Sequence, residues 1–215
     1  MTASSSTDSA FGIVGVAGAQ TLVDDEARND SLLIQQCLLG SDLAWRNFLR
    51  KYEPEVIAQM WRFTRDRVVC EELTQDVFVQ VYRSLPRFES RGVPVLHWIR
   101  RIATHVGYGY WRSQKQHRQQ GQVSIEGWDR AVHDPQSVTA EEAAKLLHEL
   151  LAELPAADRL VLTLHYFESL GTTEISERTG WNRALVKVRS MRARSRLKKL
   201  IDRRGLRPVL ERTTS

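Results

Sequence analysis

Basic side chains are concentrated in the last segment of the sequence, after Gly180. Twelve lysines and arginines stand there against two acids, a net charge of +10, whereas the whole chain carries only +5. Closely spaced cations bind the phosphates of a polyanion, because each such contact releases condensed counterions. The segment therefore predicts a binding site for nucleic acid.

The residues before this segment show how the cations are presented. Gly171 and Gly180 divide the sequence into a helix over 155–167, a short second helix and a long basic third helix, which is the pattern of a helix-turn-helix unit. We expect Thr172 or Thr173 to cap the short helix and Asn182 to cap the basic helix. Four residues spaced by three and four should face the core: Val186, Ser190, Ala193 and Leu197.

A second basic segment, over 95–118, mixes cations with aromatic rings. Cations can hold a phosphate backbone, and rings can stack on unpaired bases of any sequence. The spacing of Trp98, Ile102 and Val106 by four favours a core face, whereas Tyr110 and Trp111 lie further along the helix, among its basic residues. We therefore expect Tyr110 and Trp111 to face nucleic acid.

Other features of the first half predict helix borders. Ser41 and Asp42 can cap a helix, Pro54 is suited to the first turn of the next one, and a third helix is expected over 71–85. Gly107 lies inside the fourth helix, as does Gly109, and because glycine is unfavourable there, the pair indicates a close backbone approach or a bend.

Catalysis and metal binding are not supported by the sequence. His148 and Glu149 begin a segment similar to a zinc-protease helix, but the second histidine four residues on is absent. No glycine-rich phosphate loop or nucleophile elbow is present, and the other histidines lack metal-ligand spacing. We expect no catalytic residue, no metal and no cofactor. Cys37 and Cys70 are expected to be two reduced thiols of a cytoplasmic protein.

The 215 residues suffice for one ordinary domain or two small ones, and no apolar run is long enough to span a bilayer. Helical periodicity without strand-like alternation predicts an all-α fold. We expect a disordered N-terminal extension over 1–30, a helical domain over 31–118 and a flexible linker over 119–139. A helix-turn-helix domain over 140–207 and a tail over 208–215 should follow.

Three stretches of the sequence, in this order, resemble the extracytoplasmic-function group of sigma-70-type sigma factors. They are EELTQDVFVQVYRSLPRF, then FESRGVPVLHWIRRIATHV, then LPAADRLVLTLHYFESLGTTEISERTGWNRALVKVRSMRARSRL. The resemblance covers nearly everything over 32–201. It implies a sigma2-like helical bundle joined by the linker to a sigma4-like helix-turn-helix domain, with core RNA polymerase, promoter DNA and an anti-sigma factor as partners.

The resemblance also implies roles for individual residues. The third helix would dock on RNA polymerase, a role that its acidic and amide face does not by itself distinguish from an ordinary solvated surface; the residues implied are Glu72, Gln75, Asp76, Gln80 and Arg83. The loop over 89–95 and the fourth helix would hold the melted minus-ten element through Ser90, Arg91, Arg100, Arg101, His105, Tyr110, Trp111 and Arg112. The minus-35 element would be contacted by His165, Arg183, Lys187, Val188, Met191, Arg192 and Arg194.

Two other functions remain open at this point. A regulator without polymerase would bind operator duplex through the helix-turn-helix unit alone, but it would have no use for a helix that holds single strands. An antiterminator-like protein would prefer RNA, which would leave the helix-turn-helix unit unexplained. The sigma-factor interpretation accounts for both basic segments together.

Overall fold

The computed structural model describes residues 28–89, 93–119 and 140–206, with the side chains of 115–119 and 140–144 left aside. Within these residues the chain is helical and contains no strand, as the sequence predicts. Most of the expected extension, linker and tail lies outside the described residues. The first helix, α1, spans residues 28–38, so residues 28–30 do not belong to the extension. Asp30 is buried there, with Lys51 Nζ 2.6 Å from its carboxylate.

Helix α2 (Asp42–Met60) is continuous, and the expected new helix at Pro54 is wrong. The Ser41 hydroxyl accepts a hydrogen bond from the Ala44 amide, as the capping prediction requires. A proline inside a helix costs ~3 kcal/mol. The cost is offset because a buried stripe spaced by four runs across Pro54 without a break: Ala44, Phe48, Tyr52, Val56 and Met60.

Helix α3 (Arg67–Ser84) begins four residues earlier than predicted, because the Asp66 carboxylate accepts hydrogen bonds from the amides of Val68 and Val69. Its predicted stripe of Leu73, Val77 and Val81 is buried. A short 3₁₀ turn (Leu85–Arg87) leads towards helix α4 (Val95–Gln119).

The close approach predicted for the glycines of α4 occurs at one of them. A Cβ on Gly107 would lie 2.4 Å from ring atoms of Phe63, so the ring packs directly on the helix backbone. Nothing lies within 4 Å of a Cβ on Gly109, and the structure gives no reason for that glycine. Gly107 therefore lets α4 lie against the residues that follow α2.

The second half contains α5 (Ala140–Glu153), α6 (Ala156–Leu162), a π-helical turn (Thr163–Phe167), α7 (Thr172–Thr179) and α8 (Arg183–Arg203). The expected cap of α7 by Thr172 or Thr173 is wrong: the N-cap is Gly171, whose amide donates to the Glu174 carboxylate at 2.7 Å. Gly180 ends α7 with φ +75°, a conformation that favours glycine.

The two halves share one apolar cluster. Helix α4 lies against α6 and α7, and buried residues of the second half, including Leu160, Leu164 and Ile175, belong to the same cluster as Val77, Ile99 and other residues of the first half. A smaller cluster joins α5, α6 and α8 through Leu150, Leu154, Leu162, Ala193 and Leu200. The second half is therefore packed both within itself and onto α4.

Candidate nucleic-acid interface

Helix α8 is positioned by its cap and by its buried side. The Asn182 side chain accepts a hydrogen bond from the Leu185 amide at 2.8 Å, as predicted. Val186 and Ala193 are completely buried, and Ser190 and Leu197 are half-buried, so the predicted core stripe faces inward. Because each residue turns a helix by about 100°, this stripe leaves the opposite side of α8 to solvent.

A buried carboxylate fastens α8 to α6. Asp158 is 2% exposed and forms ion pairs with Arg196 and with Arg189, whose Nη1 lies 3.7 Å from the carboxylate. The Arg189 guanidinium also lies over the Trp181 ring, 4.9 Å from its centroid. Two of the arginines in the basic segment therefore orient the helix, a role that the sequence analysis did not assign to them.

All seven candidates for the minus-35 site are exposed. Six of them lie on α8 outside the core stripe: Val188, Met191 and Arg192 are on the far side of the helix, and Arg183, Lys187 and Arg194 lie along one edge. Val188 and Met191 are 39% and 61% exposed, which places apolar atoms beside the cations. His165 lies on the π-helical turn, where its Nδ1 is 2.9 Å from the carbonyl oxygen of Leu170.

The five candidates for polymerase docking also share one exposed face. Glu72, Gln75, Asp76, Gln80 and Arg83 all lie on the solvent side of α3, away from the buried stripe. Their spacing by three and four places them in adjacent turns of the helix.

Apolar residues that the sequence analysis missed lie on the same side of α3. Val68, Val79 and Tyr82 are 63%, 45% and 63% exposed, and the Tyr82 ring is 5.0 Å from that of Trp45. Exposed apolar side chains beside polar ones are typical of a protein interface. The run of Val77, Phe78 and Val79 could have predicted an exposed apolar residue on α3, because three consecutive residues of one helix cannot all face the core.

The candidates for the minus-ten site do not all lie on one exposed surface. Ser90 and Arg91 lie outside the described residues. Arg101, His105 and Arg112 form an exposed row along α4, and burial, followed by the charge of Arg101, lowers the pKa of His105. Arg100 is half-buried and donates from Nη2 to the Glu55 carboxylate at 2.8 Å. Only part of the predicted set therefore forms one accessible basic row.

The expectation that Trp111 faces nucleic acid is wrong. Trp111 is 4% exposed, its Nε1 donates to the carbonyl oxygen of Phe63 at 2.7 Å, and its ring lies under the Arg159 guanidinium at 3.9 Å from the centroid. Tyr110 is half-buried, and its hydroxyl accepts a hydrogen bond from Gln114. A buried tryptophan needs a partner for its N–H, and here that partner is a backbone carbonyl of the first half.

A cavity of about 840 Å³ lies between the start of α4 and α7. Its aromatic lining is Phe88 and Trp98, whose ring centroids are 4.6 Å apart. The charged lining is mixed, with Arg87, Arg101 and Arg178 beside the carboxylates of Glu89, Glu174 and Glu177. The rings offer a surface on which a nucleobase can stack. Trp98, which the spacing assigned to the core, packs against the core cluster but is only half-buried and also lines this cavity.

The structure also describes the two cysteines, the arrangement of potential metal ligands and the hydrophobicity of the helices. Cys37 and Cys70 are free and buried, and burial raises the pKa of both thiols. Among the described residues, no group of three His, Cys, Asp or Glu side chains is arranged to hold a metal ion. None of the helices described here is both long and apolar enough to cross a membrane.

Known proteins similar to this chain were found in sequence and in fold. A family model described as "Sigma-70 region 2" matches residues 48–117, and one described as "Sigma-70, region 4" matches residues 144–197. The chain is 27% identical over 194 residues to the ECF RNA polymerase sigma factor ShbA of Streptomyces griseus, covering 83% of this chain and 98% of that one. It is 25% identical over 183 residues to the RNA polymerase sigma-H factor of Pseudomonas aeruginosa, covering 80% and 94% respectively.

Solved structures support the fold. CnrH in complex with the cytosolic domain of CnrY matches with a TM-score of 0.52 at 20% identity, covering 80% of this chain and 96% of that one. The sigma factor RpoE of Bartonella quintana, in complex with the anti-sigma factor NepR, matches with a TM-score of 0.51 at 21% identity, covering 74% and 96%. The two family models together span more than half of the sequence, in the order that the resemblance requires, and the chain belongs to the sigma-70 family, in its extracytoplasmic-function group of RNA polymerase sigma factors.

Proposed function

We propose that the chain is an alternative sigma factor that binds core RNA polymerase and directs initiation at promoters with minus-35 and minus-ten elements. The observation that carries this function is that two exposed faces of different character occur on one chain, a face on α3 that mixes polar and apolar residues and a basic face on α8. A DNA-binding regulator needs only the second. Sigma factors are initiation factors rather than enzymes.

Different residues of the recognition face of α8 contact the bases and the phosphates of the DNA. Lys187, Val188, Met191 and Arg192 reach base edges in the major groove of the minus-35 element, because a recognition helix presents its early residues to the bases. Arg183 and Arg194 at the edge of this face contact phosphates. His165, on the preceding turn, contacts the DNA backbone beside them.

The row of Arg101, His105 and Arg112 on α4 holds the phosphates of the melted minus-ten strand. Phe88 and Trp98, which line the cavity, stack on an extruded base. In this proposal Trp98 replaces Trp111 as the tryptophan that contacts DNA.

The docking face of α3 binds the largest subunit of RNA polymerase through Glu72, Gln75, Asp76, Gln80 and Arg83, with Val79 and Tyr82 supplying apolar contact area. An interface of this kind, apolar in part and polar at its rim, fits a complex that must form and dissociate. The same faces are available to an anti-sigma factor, the type of partner present in one of the similar solved structures. These activities place the protein in the cytoplasm.

The test is binding to purified core RNA polymerase, followed by run-off transcription on a fragmented genomic library. We expect a stable complex and new, discrete start sites that core polymerase alone does not produce. A chain that fails to bind polymerase yet binds duplex DNA tightly would overturn the proposal in favour of an operator-binding regulator.

A further inference from the structure

The side of α8 that points away from the core is apolar at its centre. A turn of about 100° per residue places Val188 and Met191 almost opposite the buried Val186. The side chains of Val188 and Met191, here called the apolar pair, are 39% and 61% exposed. Ala184, one turn earlier, lies in the same direction and is exposed as well. The centre of this side therefore presents carbon atoms and a thioether in place of strong hydrogen-bonding groups.

Cations border the apolar pair on both sides. Lys187 and Arg194 lie along one edge of the helix, and Arg192 lies on the other side of the pair. All three are exposed, and α8 has no acidic residue before Asp202, near its end. Exposed apolar side chains can belong to an interface with another protein, but a border of cations without carboxylates complements a polyanion. The charge around the apolar pair therefore favours DNA as the occupant of this face.

The dimensions of the major groove decide what each part of this face meets. The groove is ~12 Å wide, and a helix with its side chains is ~10–12 Å across, so the helix fills the groove. The outermost side of α8 then faces the base edges on the floor of the groove, and its flanks face the phosphates of the two walls. Lys187 and Arg192 have long side chains that can reach the floor from the flanks. Val188 is short and meets whatever lies directly beneath it.

The base edge beneath an apolar side chain should itself be apolar. In the major groove the bases present hydrogen-bonding groups, and thymine alone adds a methyl group at C5. A valine packed on guanine or cytosine would take the N7, O6 or N4 atoms of these bases out of water without giving them a partner, which is costly. Contact with a thymine methyl group instead removes apolar surface of both partners from water.

We propose that Val188 and Met191 are specificity-determining residues that read thymine methyl groups on neighbouring base pairs of the minus-35 element. The three-residue separation of the pair is ~4.5 Å along the helix, close to the ~3.4 Å between successive base pairs. The cations beside the pair hold phosphates and supply affinity, and the pair supplies a preference for A·T over G·C. The name of the element rests on the proposed function, whereas the preference for methyl groups holds for any duplex that α8 binds.

Selection from a pool of random-sequence duplexes by the full chain, without polymerase, shows which base pairs α8 prefers. We expect neighbouring A·T pairs among the enriched positions. In one enriched duplex, each thymine is then replaced by deoxyuridine, which removes only the C5 methyl group. Fluorescence anisotropy should show a loss of affinity of about threefold to fivefold at one or two neighbouring positions, the value expected for one buried methyl group.

Val188→Ala and Met191→Ala connect the lost methyl group to one side chain. Both residues are exposed, and alanine is favourable in a helix, so both variants should fold. Each variant should bind the thymine duplex about as weakly as the wild type binds one of the deoxyuridine duplexes, and it should no longer respond to deoxyuridine at that position. Leu43→Ala, which truncates a 64% exposed side chain on α2, is the matched control and should respond as the wild type does.

Any of four results would overturn the methyl readout. The first is a chain that enriches no duplex sequence, and the second is sequence-specific binding in which no single deoxyuridine changes the affinity. The third is a response to deoxyuridine that both alanine variants retain, which would place the methyl contact elsewhere on the chain. The fourth is unchanged duplex affinity in both variants, which would indicate that the apolar pair binds a protein. A wild type that reads methyl groups but fails to bind core polymerase or to support run-off transcription would count against the proposed function alone.

Discussion

The two surfaces that we propose to bind nucleic acid differ in how accessible they are. The minus-35 face on α8 is exposed along its length and is fixed from beneath by Asp158. The minus-ten surface on α4 is partly covered by the other half, and one of its expected residues, Trp111, is buried. The difference indicates that duplex recognition is built into the second half, whereas access to the melted strand depends on the arrangement of the halves.

Asp158→Asn should have the largest effect, because it removes the charge that fixes α8. Breaking a buried ion pair costs about 3–5 kcal/mol, and we expect about 2 kcal/mol here because Arg189 and Arg196 can turn towards solvent. Affinity for a minus-35 duplex should fall at least tenfold, as measured by fluorescence anisotropy, together with a lower midpoint of chemical denaturation.

Glu177→Gln, on the exposed side of α7, is the control for Asp158→Asn, because it makes the same chemical change at the surface. An equal loss of duplex affinity in both variants would mean that overall charge, and not the position of α8, sets the affinity. The minus-35 face could then no longer be described as a surface whose affinity depends on the fixed position of α8.

Lys187→Ala and Arg192→Ala should each weaken promoter-directed transcription by about 1–2 kcal/mol, roughly five- to thirtyfold, and leave polymerase binding intact. Asp76→Ala should do the opposite, weakening the complex with core polymerase without changing minus-35 duplex affinity. Run-off assays and polymerase pull-downs measure the two effects separately. Lys145→Ala, exposed on α5, is the control for loss of a single cation. If all three variants changed only duplex affinity, the assignment of faces would be incorrect.

Gly107→Ala and Gly109→Ala form a matched pair on α4. A Cβ at Gly107 would meet the Phe63 ring at 2.4 Å, and overpacking of this kind costs about 1–3 kcal/mol. A Cβ at Gly109 meets nothing within 4 Å, so alanine there should stabilise the helix by up to ~1 kcal/mol. Thermal unfolding should therefore shift in opposite directions. A stabilised Gly107→Ala variant would show that Phe63 can move and that α4 is less tightly held than the structure indicates.

Features decided by neighbouring residues could be predicted from the sequence. The buried stripe of α3 followed from the spacing of Leu73, Val77 and Val81, and the cap of α8 from Asn182, because both depend on contacts within one or two helical turns. The exposed face of α8 followed from the same periodicity. These elements position most of the candidate minus-35 site.

Features decided by distant partners could not be predicted in this way. Trp111 is buried because the Phe63 carbonyl, 48 residues away, accepts its N–H and because Arg159 covers its ring. Pro54 lies inside a helix because tertiary packing along the whole of α2 outweighs its local preference. The ion pairs of Glu168 with Arg62 and Arg178 likewise depend on the fold.

Acidification should weaken the contact between the halves, with the smallest effect of the four. Burial, followed by the charges of Arg65 and Arg159, lowers the pKa of His148 to about 4. Arg65 Nη2 lies 2.6 Å from His148 Nε2, and the Phe167 ring lies beside the imidazole. A separated His148 would have a pKa near ~6.5, so as pH falls from about 6.5 towards 4 the separated halves bind a proton that the contact excludes. The contact is therefore favoured above this range and lost below it. Because the side chain is only half-buried, we expect a change on the order of 1 kcal/mol.

Scattering between pH 7.5 and 5 measures this effect as a rise in the radius of gyration at acid pH. His148→Gln should flatten the profile, because glutamine still offers an oxygen to Arg65 but does not titrate. His97→Gln, an exposed position at the start of α4, should leave the profile as in the wild type. A profile that stays steep in His148→Gln would assign the pH dependence to a group other than His148. A profile that is flat in the wild type would show that the halves stay together without help from the neutral imidazole, through the shared apolar cluster and the ion pair of Glu168 with Arg62.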